Sequence, residues 1–295
     1  MNPERLSEAY KEWMIILGYN TYTIKGNYLK TRDFLNYLHT QNITQLTEIT
    51  PKHIQDWYTI QKQRKSKQTG KLLSNRTLNS YQTNLRLFSS YLHQTEQGSL
   101  EIQLTSEPEQ QHQRQILTQT EINDLYTAAE NSFNPLGNRI LLHLYYGCGL
   151  RRNEGIRLNK EDVQPEKGML YIKHGKGYKS RYIPLTESHI ADFKTYLKTI
   201  ENDTEPTFLR GETGKRMSRD IPNRRLKKLI RMTTNPQLQT KTIGLHTLRH
   251  SIATHLLQNG MEIELISKLL GHAFLDTTQI YTHLMHNEKG VKPIY

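Results

Sequence analysis

In NTYTIKGNYLKTRDFLNYLH, residues 20–39, the positions Ile24, Tyr28, Thr31, Leu35 and Leu38 recur at three- and four-residue steps, the spacing of one helical face. NRTLNSYQTNLRLFSSYLH repeats the pattern more clearly through Leu78, Tyr81, Leu85, Phe88 and Leu92. Between them ITPKHIQDWYTIQ predicts a helix capped by Thr50 with Pro51 at its first position, followed by the basic loop KQRKSKQTGK. Residues 1–104 therefore predict a small all-α bundle. The stretch 105–116, TSEPEQQHQRQI, has no apolar period and reads as a linker. A second domain, 117–295, opens at LTQTEINDLYTAAE, where Thr118 and Glu121 have capping-box spacing. NPLGNRILLHLYYGCG predicts a buried helix, RRNEGIRL a short charged one, and MLYIK and RYIPL two short strands of a hairpin. Helices return in SHIADFKTYLKTI, SRDIPNRRLKKLIRM, HTLRHSIATHLLQNG and EIELISKLLG. The expected class is mainly α with a small β-sheet, in two domains.

Charge narrows the partner. Lys and Arg number 40 against 28 acidic residues, a formal charge of +12, and the excess falls in both predicted domains. A chain basic along most of its length suits a long polyanion better than one small anionic ligand. Cys148 is the only cysteine, which excludes an internal disulfide and a multi-cysteine zinc site, and its place after ILLHLYYG marks it as a small core residue. MNPERLSEAYKEW lacks the apolar run of a secretory signal, and no stretch approaches the roughly 18 apolar residues of a membrane span. These features predict a soluble cytoplasmic protein that stays near the nucleoid and has no membrane partner.

Candidate chemistry is concentrated in the second domain. His246 and Arg249, three apart in HTLRH, share a face at a helix start, where orphan N–H groups favour an anion. His246 and His250 also have the spacing of a metal pair, but no glutamate follows as in HExxH and no third ligand is evident, so no metal is expected. In GCGLRRNEG an arginine, Arg151 or Arg152, emerges from a glycine turn, and Glu154 stands where it can hold a guanidinium. GKGYKSR carries Lys176 between two glycines, with Lys173, Lys179 and Arg181 as nearby alternatives. The rest of a P-loop is missing, so no nucleotide cofactor is implied. LGHAFLDTTQIYTH places Tyr281 nine residues after His272. In the first domain Arg76, Asn79, Thr83 and Arg86 form the polar face of the second amphipathic helix, short polar and guanidinium groups suited to phosphates and base edges. Each of these has an ordinary alternative, a solvated face or a satisfied core residue, when taken alone.

Together they match one reaction. A phosphodiester resists attack because its anionic oxygens repel the nucleophile and its alkoxide leaves poorly. Catalysis asks for cations on those oxygens, a proton donor and an aligned nucleophile. Arg151 and Arg249 can supply the cations, Lys176 the proton and Tyr281 the nucleophile, with His246 handling protons and His272 bonding a phosphoryl oxygen.

In order and spacing, GLRRNE, GKG, HTLRH, LGH and IYTH resemble the motifs of the tyrosine recombinases, the phage-integrase family. The resemblance covers nearly the whole chain, with the first hundred residues similar to the helical core-binding domain and the rest to the catalytic domain. It selects Arg151 over Arg152 and makes Glu154 a supporting residue. It implies a clamp around double-stranded DNA, attack by Tyr281 to give a 3′-phosphotyrosine, and strand exchange without ATP or another cofactor. Four protomers on two recombination sites would pass through a Holliday junction, from a monomer or dimer when free. The length leaves no place for an extra arm-binding domain, pointing to a simple, Xer-like member. The tail after Tyr281 is short, with Val291, Ile294 and Tyr295 as its apolar groups for coupling protomers. Two rivals share the features: a DNA-binding regulator of the same fold, and a type IB topoisomerase-like nicking-closing enzyme.

Overall fold

The computed structural model describes residues 2–109, 115–173 and 180–271. The chain forms two compact units, Met1–His112 and Gln113–Tyr295.

The first unit is a four-helix bundle of α1 (Pro3–Ile16), α2 (Thr21–Thr40), α3 (Pro51–Gln63) and α4 (Asn75–Gln94). Local chemistry sets each start. The Asn2, Asn20, Thr50 and Ser74 side chains each accept a backbone N–H from the first turn of the helix they precede, and Pro51 occupies the first position of α3. Leu35, Leu38, Leu85 and Phe88 of the expected faces are fully buried, joined by Tyr10, Phe34 and Trp57. The Phe34 and Trp57 rings meet edge to face at 5.0 Å, as do Tyr10 and Phe88 at 5.2 Å. Thr31, the polar member of the α2 face, is buried with its hydroxyl bonded to Asn84 Nδ2 at 3.0 Å, so its burial leaves no orphan.

The second unit surrounds a three-stranded antiparallel sheet, in the order β1 (Val163–Gln164), β2 (Met169–Ile172), β3 (Arg181–Pro184). Helices α5 (Gln119–Glu130), α6 (Pro135–Leu142), α7 (Arg152–Arg157), α8 (Glu187–Thr199), α9 (Ile221–Met232), α10 (Pro236–Thr240), α11 (Leu245–Gln258) and α12 (Ile263–Leu270) complete it. Thr118 and Glu121 form the expected capping box of α5. Between α6 and α7 the chain widens into a π-helical turn, His143–Gly147. It ends at Cys148, buried in the core with its thiol pushed up to about 12 by desolvation and therefore inert at neutral pH. Leu170 pairs with Ile183 and Ile172 with Arg181 across the hairpin. Side chains paired across strands share a sheet face, so Arg181 lies on the same face as the buried Leu170, Ile172 and Ile183. That register turns a hairpin arginine inward. Among the described residues no helix is long and apolar enough to cross a membrane.

Candidate active site

Gly149 shapes the entry to the site. It adopts φ +59°, and a β-carbon there would lie 2.6 Å from Leu270 Cδ2, so the turn before Arg151 takes only glycine without strain. Arg151 then caps α7 with extended backbone, and Glu154 reaches back to accept its N–H at 2.9 Å. The same carboxylate accepts the Arg151 guanidinium, Nη1 to Oε1, at 2.8 Å. A local cap thus orients Arg151. Arg152 takes no part in that pair, and its Nε is buried without a partner among the described residues.

Glu154 is the hub. Arg181 donates to both of its oxygens, at 3.1 Å and 2.8 Å, and the Arg249 guanidinium stands 4.0 Å away as a charge partner beyond hydrogen-bond range. Burial alone would raise the carboxyl pKa. The hydrogen bonds and charge of Arg181, followed by those of Arg151, outweigh it and hold the group below the ordinary carboxylate value. One anion among three guanidiniums leaves the cluster strongly cationic.

Arg249 is 6 % exposed at its side chain and projects from the first turns of α11. Its Nη1 donates to the Gly149 carbonyl at 2.5 Å and its Nη2 to the Leu270 carbonyl at 2.6 Å. His246, one turn earlier, is an exposed residue whose ring is partly desolvated by its neighbours. Partial desolvation, then the charges of Arg249, Arg152 and Arg151, lower its pKa below that of free imidazole. A neutral imidazole beside guanidiniums at a helix start can take a proton while the cations hold an anion.

Arg151, Glu154, His246 and Arg249 therefore converge on one region of the second unit. Lys176, His272 and Tyr281 lie outside the described residues. Of the alternatives to Lys176, Lys173 pairs with Glu161 and Asp162, Arg181 is committed to Glu154, and Lys179 is outside the described residues. Among the described residues no three His, Cys, Asp or Glu side chains are grouped to hold a metal.

The α4 face is occupied by the chain itself. Asn79 donates to the Glu107 carbonyl at 3.0 Å and to Glu109 Oε1 at 3.1 Å, and accepts the Glu107 N–H at 2.7 Å. Arg86 donates to the Leu104 carbonyl at 3.2 Å, and the Thr83 hydroxyl to the Asn79 carbonyl at 3.0 Å. Arg76 touches Glu109 at 3.4 Å yet remains 86 % exposed at its side chain. Residues 105–109, read from the sequence as the start of a linker, are thus strapped along α4. The sequence reading passed over α9, where Arg224, Lys227, Lys228 and Arg231 follow i, i+3, i+4, i+7 spacing on an exposed face, with no ion pair to any described acid. That spacing, visible in NRRLKKLIR, was the available signal.

Comparison with known proteins places these features in context. The family model described as the phage integrase family matches residues 115–288. Tyrosine recombinase XerA of Pyrococcus horikoshii is 38 % identical over 170 residues, covering 56 % of this chain and 55 % of the relative. Tyrosine recombinase XerD of Staphylococcus saprophyticus is 33 % identical over 186 residues, covering 60 % and 61 %. The matches thus span little more than half the length of these curated relatives. The crystal structure of the site-specific recombinase XerH bound to a palindromic difH substrate, a post-cleavage complex, superposes with a TM-score of 0.71. That superposition covers 96 % of this chain and 81 % of that one at 22 % identity, a likeness of fold.

Proposed function

The chain belongs to the phage integrase family, and on that premise we propose that it is a site-specific recombinase that cuts and rejoins double-stranded DNA through its own tyrosine. The observation that carries this reading is the cluster in which Arg151 and Arg249 flank Glu154 beside a neutral His246. Two guanidiniums neutralise the non-bridging oxygens of the scissile phosphate and stabilise the charge that builds up on attack. His246 accepts the phenolic proton of Tyr281 as its oxygen bonds to phosphorus, giving a 3′-phosphotyrosine. The 5′-oxygen leaves with a proton from Lys176, and His272 bonds a phosphoryl oxygen. A 5′-hydroxyl from the partner duplex reverses these steps on the exchanged strand.

Four copies on two sites carry the exchange through a Holliday junction. The basic face of α9, and Arg76, whose side chain touches Glu109 of the 105–109 strap yet stays largely exposed, provide contacts to the phosphate backbone. The similarity to XerA and XerD supports recombination over the two rivals.

The test is to recover DNA that stays bound to the chain through boiling in detergent, and to sequence its ends. A recombinase yields one short crossover site, and a plasmid carrying two copies of that site exchanges the segment between them. Adducts at unrelated sequences with relaxation of any supercoiled plasmid identify a nicking-closing enzyme. Binding without adducts identifies a regulator.

A further inference from the structure

The last carbonyls of a helix have no partner within it and carry the negative end of its dipole. At the end of α12 three consecutive carbonyls each hold a different arginine: Leu269 accepts Arg181 Nε at 2.9 Å, Leu270 accepts Arg249 Nη2 at 2.6 Å, and Gly271 accepts Arg151 Nη2 at 2.7 Å. The three come from β3, α11 and the start of α7, elements far apart in sequence. Gly271 has φ +65°, and a β-carbon on it would lie 2.9 Å from Arg181 Nη1, so the helix end is packed directly on that guanidinium. The apolar hold on α12 comes from Ile266 and Leu270, in a minor cluster alongside Ala253 and Leu257, and from Leu269, partly buried against the main core.

Arg151 and Arg249 already have a role in the proposed chemistry, and Arg181 does not. It is 10 % exposed at its side chain and uses all three guanidinium nitrogens, Nε on Leu269 and both Nη on Glu154. We propose that Arg181 is a positioning residue of the strand-cleaving site. It fixes the end of α12 against the Glu154 hub and balances that carboxylate, so that Arg151 and Arg249 keep their charge for the phosphate. The inference rests on the recombinase reading and deepens it, because His272 is the next residue in sequence after this helix end and Tyr281 follows nine residues later. Lysine cannot replace Arg181, since one ammonium does not span a carboxylate and a carbonyl in the same plane.

The test uses the full chain with Arg181→Lys and Arg181→Met, and a nicked duplex carrying the crossover site mapped as above. Single-turnover adduct formation at saturating protein falls about 100-fold in both variants, as misplacement of reacting groups does. Affinity for the same duplex stays within about 3-fold, separating positioning from general loss of structure. Amide hydrogen exchange over residues 266–271 of the DNA-free chain accelerates about 10-fold in both, while other helices of the second unit keep their protection. A wild-type chain that forms no adduct overturns the recombinase reading, and the exchange arm still decides whether Arg181 holds the helix end. A wild type that cleaves, with variants cleaving within about 3-fold of it or with unchanged exchange at 266–271, overturns the positioning role alone.

Discussion

Arg151 binds the carboxylate of Glu154 twice, through its backbone amide at 2.9 Å and through its guanidinium at 2.8 Å. The first bond is a helix cap and the second an ion pair, so the turn that starts α7 also aims a cation. Glu154 is 4 % exposed at its side chain and is the counter-ion for the arginines around it. Glu154→Ala leaves those cations facing each other without compensation. The second unit should lose about 3–5 kcal/mol of unfolding free energy, the usual cost of breaking a buried pair. Glu154→Gln, which keeps the shape and an acceptor, should lose less. Both tryptophans, Trp13 and Trp57, lie in the first unit, so helix circular dichroism in urea is the measurement. A loss under about 1 kcal/mol from the alanine variant would remove Glu154 as the hub.

His246 titrates below the ordinary imidazole value, so it is neutral at pH 7 and able to accept a proton. As pH falls through that lowered pKa the ring protonates and the base is lost. Single-turnover cleavage should therefore be flat from about pH 7 to 8 and fall only below about pH 6.5. His246→Asn should lower the plateau by about 100-fold or more and abolish the acid limb. An acid limb that survives in the variant would assign it to another group.

Asn79 and Arg76 share the α4 face but should behave differently. Asn79 spends its amide on Glu107 and Glu109, so Asn79→Ala should cost about 1–3 kcal/mol by leaving the Glu107 backbone groups unsatisfied. Trp fluorescence reports that unit. Arg76→Ala, at an exposed side chain, should change stability by under about 0.5 kcal/mol and reduce the slope of log affinity against log salt by about 1. Equal stability losses would make Arg76 a structural residue.

What could be read from the sequence was whatever is decided locally. The faces of α2 and α4, the Thr50–Pro51 start and the Thr118–Glu121 box depend on residues within a turn or two of each other. Phe34 was missed because the buried face of α2 is wider than a single stripe. The two-residue β1 is too short to show alternation. Residues 105–109 read as linker because they are polar, and their polar backbone is what Asn79 and Gln82 bind. The inward turn of Arg181 depends on its register with Ile172 and on the Leu269 carbonyl, 88 residues away. Motif order singled out Arg151, Glu154, His246 and Arg249 as candidates, and packing added Arg181 and the carbonyls at the end of α12 around them.

The central claim is that Tyr281 becomes covalently joined to DNA. Detergent-stable complexes of the wild-type chain, digested with nuclease and protease and analysed by mass spectrometry, should contain a nucleotide phosphate on the peptide that carries Tyr281. Tyr281→Phe should give no complex while still binding the crossover duplex. A nucleotide on any other residue, or a complex that persists in the phenylalanine variant, would contradict the account.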